Sequence, residues 1–130
     1  MRLLLDTHAF LWSASDPEKL SKAARAAIED SSNDVFVSAA VAWEIAIKHA
    51  LGKLDLPSDP AIYVPARIRT LGFRPLPIAQ EHALAVSALP PHHHDLFDRI
   101  MVAQAQLEAL IMVTSDTSIL KYAVNTLAAT

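Results

Sequence analysis

Arg2-Leu3-Leu4-Leu5-Asp6-Thr7-His8 is the stretch on which the fold turns: an unbroken apolar run that stops at a carboxylate. A half-exposed strand alternates apolar and polar residues, so a short continuous run suits a strand buried on both faces of a parallel sheet. Working outward, a short helix is expected from Thr7 to about Ser13. Asp16-Pro17-Glu18 offers a cap, a first-turn proline and an early acid, predicting a second helix through Ala23, Ala24, Ala27 and Ile28. Residues 34–38 (DVFVS) form the second strand and residues 39–51 (AAVAWEIAIKHAL) the strongest helix, with Trp43, Ile47 and Ala50 on its apolar face and Gly52 closing it.

Further along, a helix from about Pro60 to Leu71 ends at Gly72. Residues 73–76 (FRPL) make a short strand that its proline confines to an edge or end. Helices over 78–89 and 96–109 follow, separated by Pro90-Pro91 and a histidine loop. Residues 110–114 (LIMVT) are the most apolar strand, and a helical turn near 117–123 and a strand near 124–127 complete the chain. Strand and helix alternating in this way predict a single α/β domain, a mostly parallel central sheet of four or five strands between helical layers. In such sheets ligands bind beyond the carboxyl ends of the strands, where strand order reverses.

Composition narrows the function. At 130 residues and 52% hydrophobic, the chain can build one core without staples, since a domain of this size buries about two-thirds of its unfolded surface. It has no cysteine, which removes thiol nucleophiles and thiolate metal sites and fits a reducing compartment. Two glycines cannot build a glycine-rich phosphate loop, so ATPase and dinucleotide-binding readings fall away. A formal charge of −3 argues against gripping nucleic acid by bulk positive charge. Neither a secretory leader nor a membrane span begins at Met1, so a soluble cytoplasmic protein is expected.

The chemistry-bearing residues are acids at the strand ends. Asp6 ends the first strand, Asp116 lies two residues past the fourth, and Asp98 opens the helix leading into it. Glu44 lies six residues beyond the second strand, about 9 Å up its helix. In a parallel sheet all four converge on one edge. Gathered carboxylates raise one another's proton affinity, and a hard divalent cation reverses that cost. Oxygen donors alone favour Mg²⁺ or Mn²⁺, suited to metal-assisted hydrolysis of a phosphodiester. Each acid also has a plainer reading. Asp6 and Asp116 are equally good helix caps, Asp98 suits a first helical turn that Asp95 caps, and Glu44 pairs with Lys48 one turn on.

Other residues are less telling. His92-His93-His94 reads as a solvated loop, since adjacent loop histidines cannot all face one ion; the alternative is that one of them, His93, contacts phosphate or modulates pH dependence at the edge of the acidic pocket. Trp12 and Trp43 read as core or interface residues rather than stacking platforms. No serine sits in a nucleophile elbow. Arg67, Arg69, Arg74, Lys48 and Lys53 are the candidates for a basic patch, with a solvated face as the alternative.

Taken in order, RLLLDTHAFLW, SAAVAWEIAIKHALGKLDL, HHDLFDRIMVAQA and LIMVTSD resemble the PIN-domain ribonucleases, and among them the VapC-like toxins of bacterial toxin–antitoxin pairs. The resemblance covers nearly the whole chain. It implies a PIN fold and an acidic quartet, Asp6, Glu44, Asp98 and Asp116, holding Mg²⁺ or Mn²⁺ for endonucleolytic cleavage of RNA. It further implies a homodimer and a cognate VapB-like antitoxin that covers the acidic groove. Thr7, Ser38 and Thr114 fall beside the matching acids. The chain has Leu96 where the HxDPFDR segment of this group carries proline, which puts the loop geometry before Asp98 in question. That departure and the acidic charge motivate a rival reading, a PIN-fold binding and dimerisation module with weakened catalysis. A phosphoacceptor signalling domain fits poorly, lacking paired acids after the first strand and an aspartate after the third.

Overall fold

The computed structural model describes all of residues 1–130 and has one five-stranded sheet. The strands are β1 (Arg2–Leu5), β2 (Asp34–Ser38), β3 (Arg74–Leu76), β4 (Ile111–Thr114) and β5 (Thr126–Ala128), in the order β3-β2-β1-β4-β5. Every pairing is parallel. Leu3, Leu4 and Leu5 are fully buried, as their continuous run predicted. Leu5 pairs with Val37 on one side and Val113 on the other, which makes β1 the central strand.

The helices are α1 (Thr7–Ser15), α2 (Lys22–Glu29), α3 (Ala39–Ala50), α4 (Pro60–Leu71), α5 (Gln80–Ala85) and α6 (Leu96–Glu108). The chain winds from β1 outward to β2 and β3, then returns across the sheet to β4 and β5. Right-handed crossovers of opposite travel put helices on both faces, giving three layers. The reversal falls between β1 and β4, the neighbours whose carboxyl ends carry Asp6 and Asp116.

Several elements depart from expectation. The proline at 17 opens only a 3₁₀ turn, Pro17–Lys19. Leu20 then turns extended and is buried, and α2 restarts with Ser21 as its cap, the Ser21 hydroxyl accepting from the Ala24 N–H at 3.0 Å. The helix expected over 78–89 is α5 followed by a 3₁₀ turn at Val86–Ala88, and the turn near 117–123 is a 3₁₀ turn at Ile119–Lys121. On α3 the apolar face was misassigned. Ala40, Val41, Glu44 and Ile45 are buried, whereas Trp43, Ile47 and Ala50 are exposed. Ala40, Val41, Glu44 and Ile45 share a face only if the glutamate goes inward too, and a hydrophobicity reading has no means of predicting that.

Candidate active site

Asp6 sits between β1 and α1 and serves both readings at once. Its N–H is held by the Val113 carbonyl at 3.2 Å, and its Oδ1 accepts from the Ala9 N–H at 2.8 Å, capping α1. The carboxylate also lines a cleft of about 370 Å³ with Glu44, Asp95, Asp98, Asp116 and His93. All four acids singled out in the sequence are therefore brought to one cleft at the carboxyl ends of β1, β2 and β4. A larger hollow of about 450 Å³ lies at the amino ends of the strands, beside Asn33 and Val35, and contains none of them.

Asp98 lies in the first turn of α6. Asp95 is the cap of that helix, accepting from the Asp98 N–H at 3.0 Å, which leaves the Asp98 carboxylate free for the cleft. Leu96 occupies the first helical position, where the backbone N–H has no helical partner whether or not a proline stands there. Its side chain is exposed, and with leucine at this position Asp95 still caps the helix and Asp98 stands in its first turn.

His93 bridges two of the acids: its Nε2 is 2.9 Å from Asp98 Oδ2 and 2.9 Å from Asp116 Oδ2. Its Nδ1 accepts the Asp95 N–H at 3.2 Å, which turns Nε2 toward the two carboxylates. Of the three consecutive histidines only this one enters the cleft. His92 instead packs edge-on against Tyr122, with ring centroids 5.1 Å apart.

Glu44 is 5% exposed, and both of its oxygens are engaged. Oε1 accepts the Thr7 hydroxyl and Oε2 accepts the Lys48 ammonium, each at 2.5 Å. The plain reading of Glu44 as the partner of Lys48 is thus realised inside the cleft. Lys48 is the one lysine or arginine lining it.

The electrostatics follow from the crowding. Burial and then the nearby Asp95 push the Asp98 carboxyl up to about 7, with Glu44 and Asp116 adding to the rise and His93 opposing it. Burial also raises Asp6, against the Thr114 hydroxyl and the Ala9 N–H. Partial burial pushes Asp116 upward too, but the Ser118 N–H and His93 outweigh it and hold the carboxyl below its usual value. Lys48 is raised chiefly by its hydrogen bond to Glu44.

Two supporting residues had no role in the sequence reading. Arg99 donates to the carbonyls of Val86 at 3.0 Å, Pro90 at 3.2 Å and His93 at 3.2 Å, and to the Tyr122 hydroxyl at 3.2 Å. Tyr122 in turn donates to the Pro90 carbonyl at 2.8 Å and accepts the His93 N–H at 3.0 Å. Together they pin the loop that carries His93. The arginine directly after Asp98 was visible as a signal; nothing in the sequence marked Tyr122. The basic patch does not form. Arg74 pairs with Asp34 at 3.0 Å and Arg67 donates to the Ala14 carbonyl at 2.9 Å, leaving Lys48 and Lys53 as the pair that shares a groove.

Against known families, the profile described as PIN domain matches residues 3–125. The chain belongs to the PIN domain family. Within it, the chain is 48% identical over 58 residues to ribonuclease VapC16 of Mycobacterium tuberculosis, a match spanning 45% of this chain and 41% of that protein. The PIN fold is also seen in the crystal structure of VapBC2 from Rickettsia felis bound to a DNA fragment from their promoter, with a TM-score of 0.72 at 10% identity, covering 98% of each chain. A toxin–antitoxin complex from Klebsiella pneumoniae has a TM-score of 0.62 at 21% identity, covering 97% of this chain and 96% of that one. At those identities the structural likeness concerns the fold of this PIN domain.

Proposed function

We propose that this PIN domain is a Mg²⁺- or Mn²⁺-dependent endoribonuclease and the toxin of a toxin–antitoxin pair. The observation that carries the reading is the gathering of Asp6, Glu44, Asp98 and Asp116 in one cleft at the switch point of the sheet, crowded enough that burial and the neighbouring acids raise the Asp98 carboxyl. A fold gains nothing from that crowding by itself, and a divalent cation relieves it. Asp6, Asp98 and Asp116 are the residues suited to hold the ion. The donors are chiefly carboxylate oxygens, with His93 Nε2 beside Asp98 and Asp116, and a mainly oxygen set favours a hard cation. When bound, the cation supplies charge neutralisation at the phosphodiester and acidifies an attacking water.

The chain's own residues do the rest. Glu44, with both oxygens committed, completes the acidic cluster and holds Lys48 at the rim, where the ammonium meets the negative charge of an incoming backbone. His93, fixed by Arg99 and Tyr122, orients the Asp98 and Asp116 oxygens. The resemblance to VapC toxins supports a homodimer, a cognate VapB-like antitoxin, and action in the cytoplasm. No helix is long and apolar enough to cross a membrane. Trp43 and Leu51, 54% and 63% exposed one turn either side of Ile47 on α3, offer an apolar stripe for a protein partner.

Incubating structured RNA with the parent protein and Asp6→Asn in Mn²⁺ buffer tests the reading. Asparagine still caps α1, so the variant keeps its fold. Cutting by the parent alone is expected. Equal cutting by both proteins would assign the activity to a contaminant, and binding without cutting by either would favour the weakened binding module.

A further inference from the structure

A second groove, of about 340 Å³, opens directly off the acidic cleft and shares Thr7, His8, Trp12 and Lys48 with it. The shared wall is the first turns of α1. Thr7 sits in the cleft, and Trp12, five residues on, stands about 7.5 Å further along the helix axis. His8 and Trp12 lie one turn apart on that wall and stack, with ring centroids 5.6 Å apart and planes inclined by 24°. His8 is exposed, and Trp12 is partly buried with its body against the core. The floor is apolar, from Leu11, Ile45 and Leu54. Lys48 stands at the junction with the cleft. Lys53 lies on the far side, exposed and without an ion-pair partner, its N–H fixed to the Lys48 carbonyl at 2.9 Å by the turn that ends α3.

This arrangement alternates in the way a single nucleic-acid strand does: a phosphate-seeking cation, a flat aromatic surface over an apolar floor, then a second cation. We propose that the groove is a subsite for the nucleotide next to the scissile phosphate, resting on the nuclease reading above. The base stacks on the His8–Trp12 pair, and Lys48 and Lys53 meet the backbone phosphates on either side of it. Asp16 and Asp55, also lining the groove, offer acceptors to a base-edge N–H, a donor that every base carries. Stacking of this kind tolerates any base, so the subsite holds unpaired RNA in register and leaves sequence choice to other contacts. A protein side chain in the same groove would use the apolar floor but would not require Lys53.

The test uses the full chain carrying Asp6→Asn, in Mg²⁺ buffer, with labelled octauridylate and the same backbone bearing abasic riboses as probes. His8→Ala is expected to weaken binding of octauridylate roughly five-fold or more and to leave binding of the abasic probe unchanged. Lys53→Ala is expected to shrink the slope of log affinity against log salt by about 0.7, the loss of one phosphate contact on a single strand. Both changes are on exposed side chains, and circular dichroism checks that the variants stay folded. Parent-like binding by both variants, or an equal loss on the abasic probe, overturns the subsite while leaving the nuclease reading standing. A background protein that binds neither probe, with a parent that cuts no RNA, overturns both.

Discussion

Replacing Asp98 with asparagine should stabilise the metal-free protein. In the unfolded chain an aspartate titrates near 3.8, and in the fold Asp98 is held up at about 7, first by burial and then by Asp95. Its side chain is only 17% exposed, so solvent does little to screen the effect. At about 1.4 kcal/mol for each tenfold change in proton affinity, the ionised carboxylate costs the fold up to about 4 kcal/mol. The sign is set by proton uptake. Between pH 3.8 and about 7 the folded protein binds the proton more tightly than the unfolded chain, so this group's contribution erodes as pH rises and the full penalty stands above pH 7. Asparagine keeps an oxygen beside His93 Nε2 and removes the charge, and allowing for relaxation of the cleft the gain should be about 1–3 kcal/mol at pH 8. Urea unfolding in chelator from pH 4 to pH 8 reads it directly: a gap between variant and parent that is near zero at pH 4 and widens to pH 8. Added Mn²⁺ should close or reverse that gap by stabilising the parent through binding. A variant less stable than the parent at pH 8 in chelator, or a gap that ignores pH, would refute the electrostatic description of the cleft.

Three further outcomes follow from the same geometry. Thr7→Val removes the hydroxyl that donates to buried Glu44 Oε1 and should cost about 1–3 kcal/mol in urea unfolding, because the oxygen it leaves has no other donor. Arg99→Ala releases three carbonyls and the Tyr122 hydroxyl at once; it should cost about 2–4 kcal/mol and speed proteolysis within residues 86–94. Ala109 ends α6 in the left-handed region at φ 53° and is exposed, so Ala109→Gly should raise stability by about 1 kcal/mol, seen as a higher Tm.

Much of this was legible from local rules. The leucine run of β1, the cap at Asp95 and the stop at Gly72, which takes φ 72° after α4, are each decided by a few neighbouring residues. The convergence of Asp6, Glu44, Asp98 and Asp116 followed from a parallel sheet, since its strands all end on one side. What escaped was whatever depends on partners distant in the chain. Glu44 lies on the same inward face of α3 as Val41 and Ile45, where Thr7, 37 residues earlier, donates to it, and Trp43 and Ile47 face outward. Pro17 looked like a helix start, but Ser21, whose N–H donates to the Ala129 carbonyl at 2.8 Å, caps α2, which begins five residues later at Lys22. Tyr122 matters through one carbonyl, that of Pro90, and the His93 N–H on a loop some 30 residues away, which no spacing rule anticipates.

Calorimetric titration of Mn²⁺ near neutral pH into the parent protein and into Asp116→Asn puts the acidic cleft to the most direct trial. Saturable binding by the parent, weakened at least ten-fold in the variant while both remain folded, is the predicted result. Equal affinity in the two proteins, or no binding by the parent, would contradict the assignment of Asp6, Asp98 and Asp116 as the seat of a divalent cation.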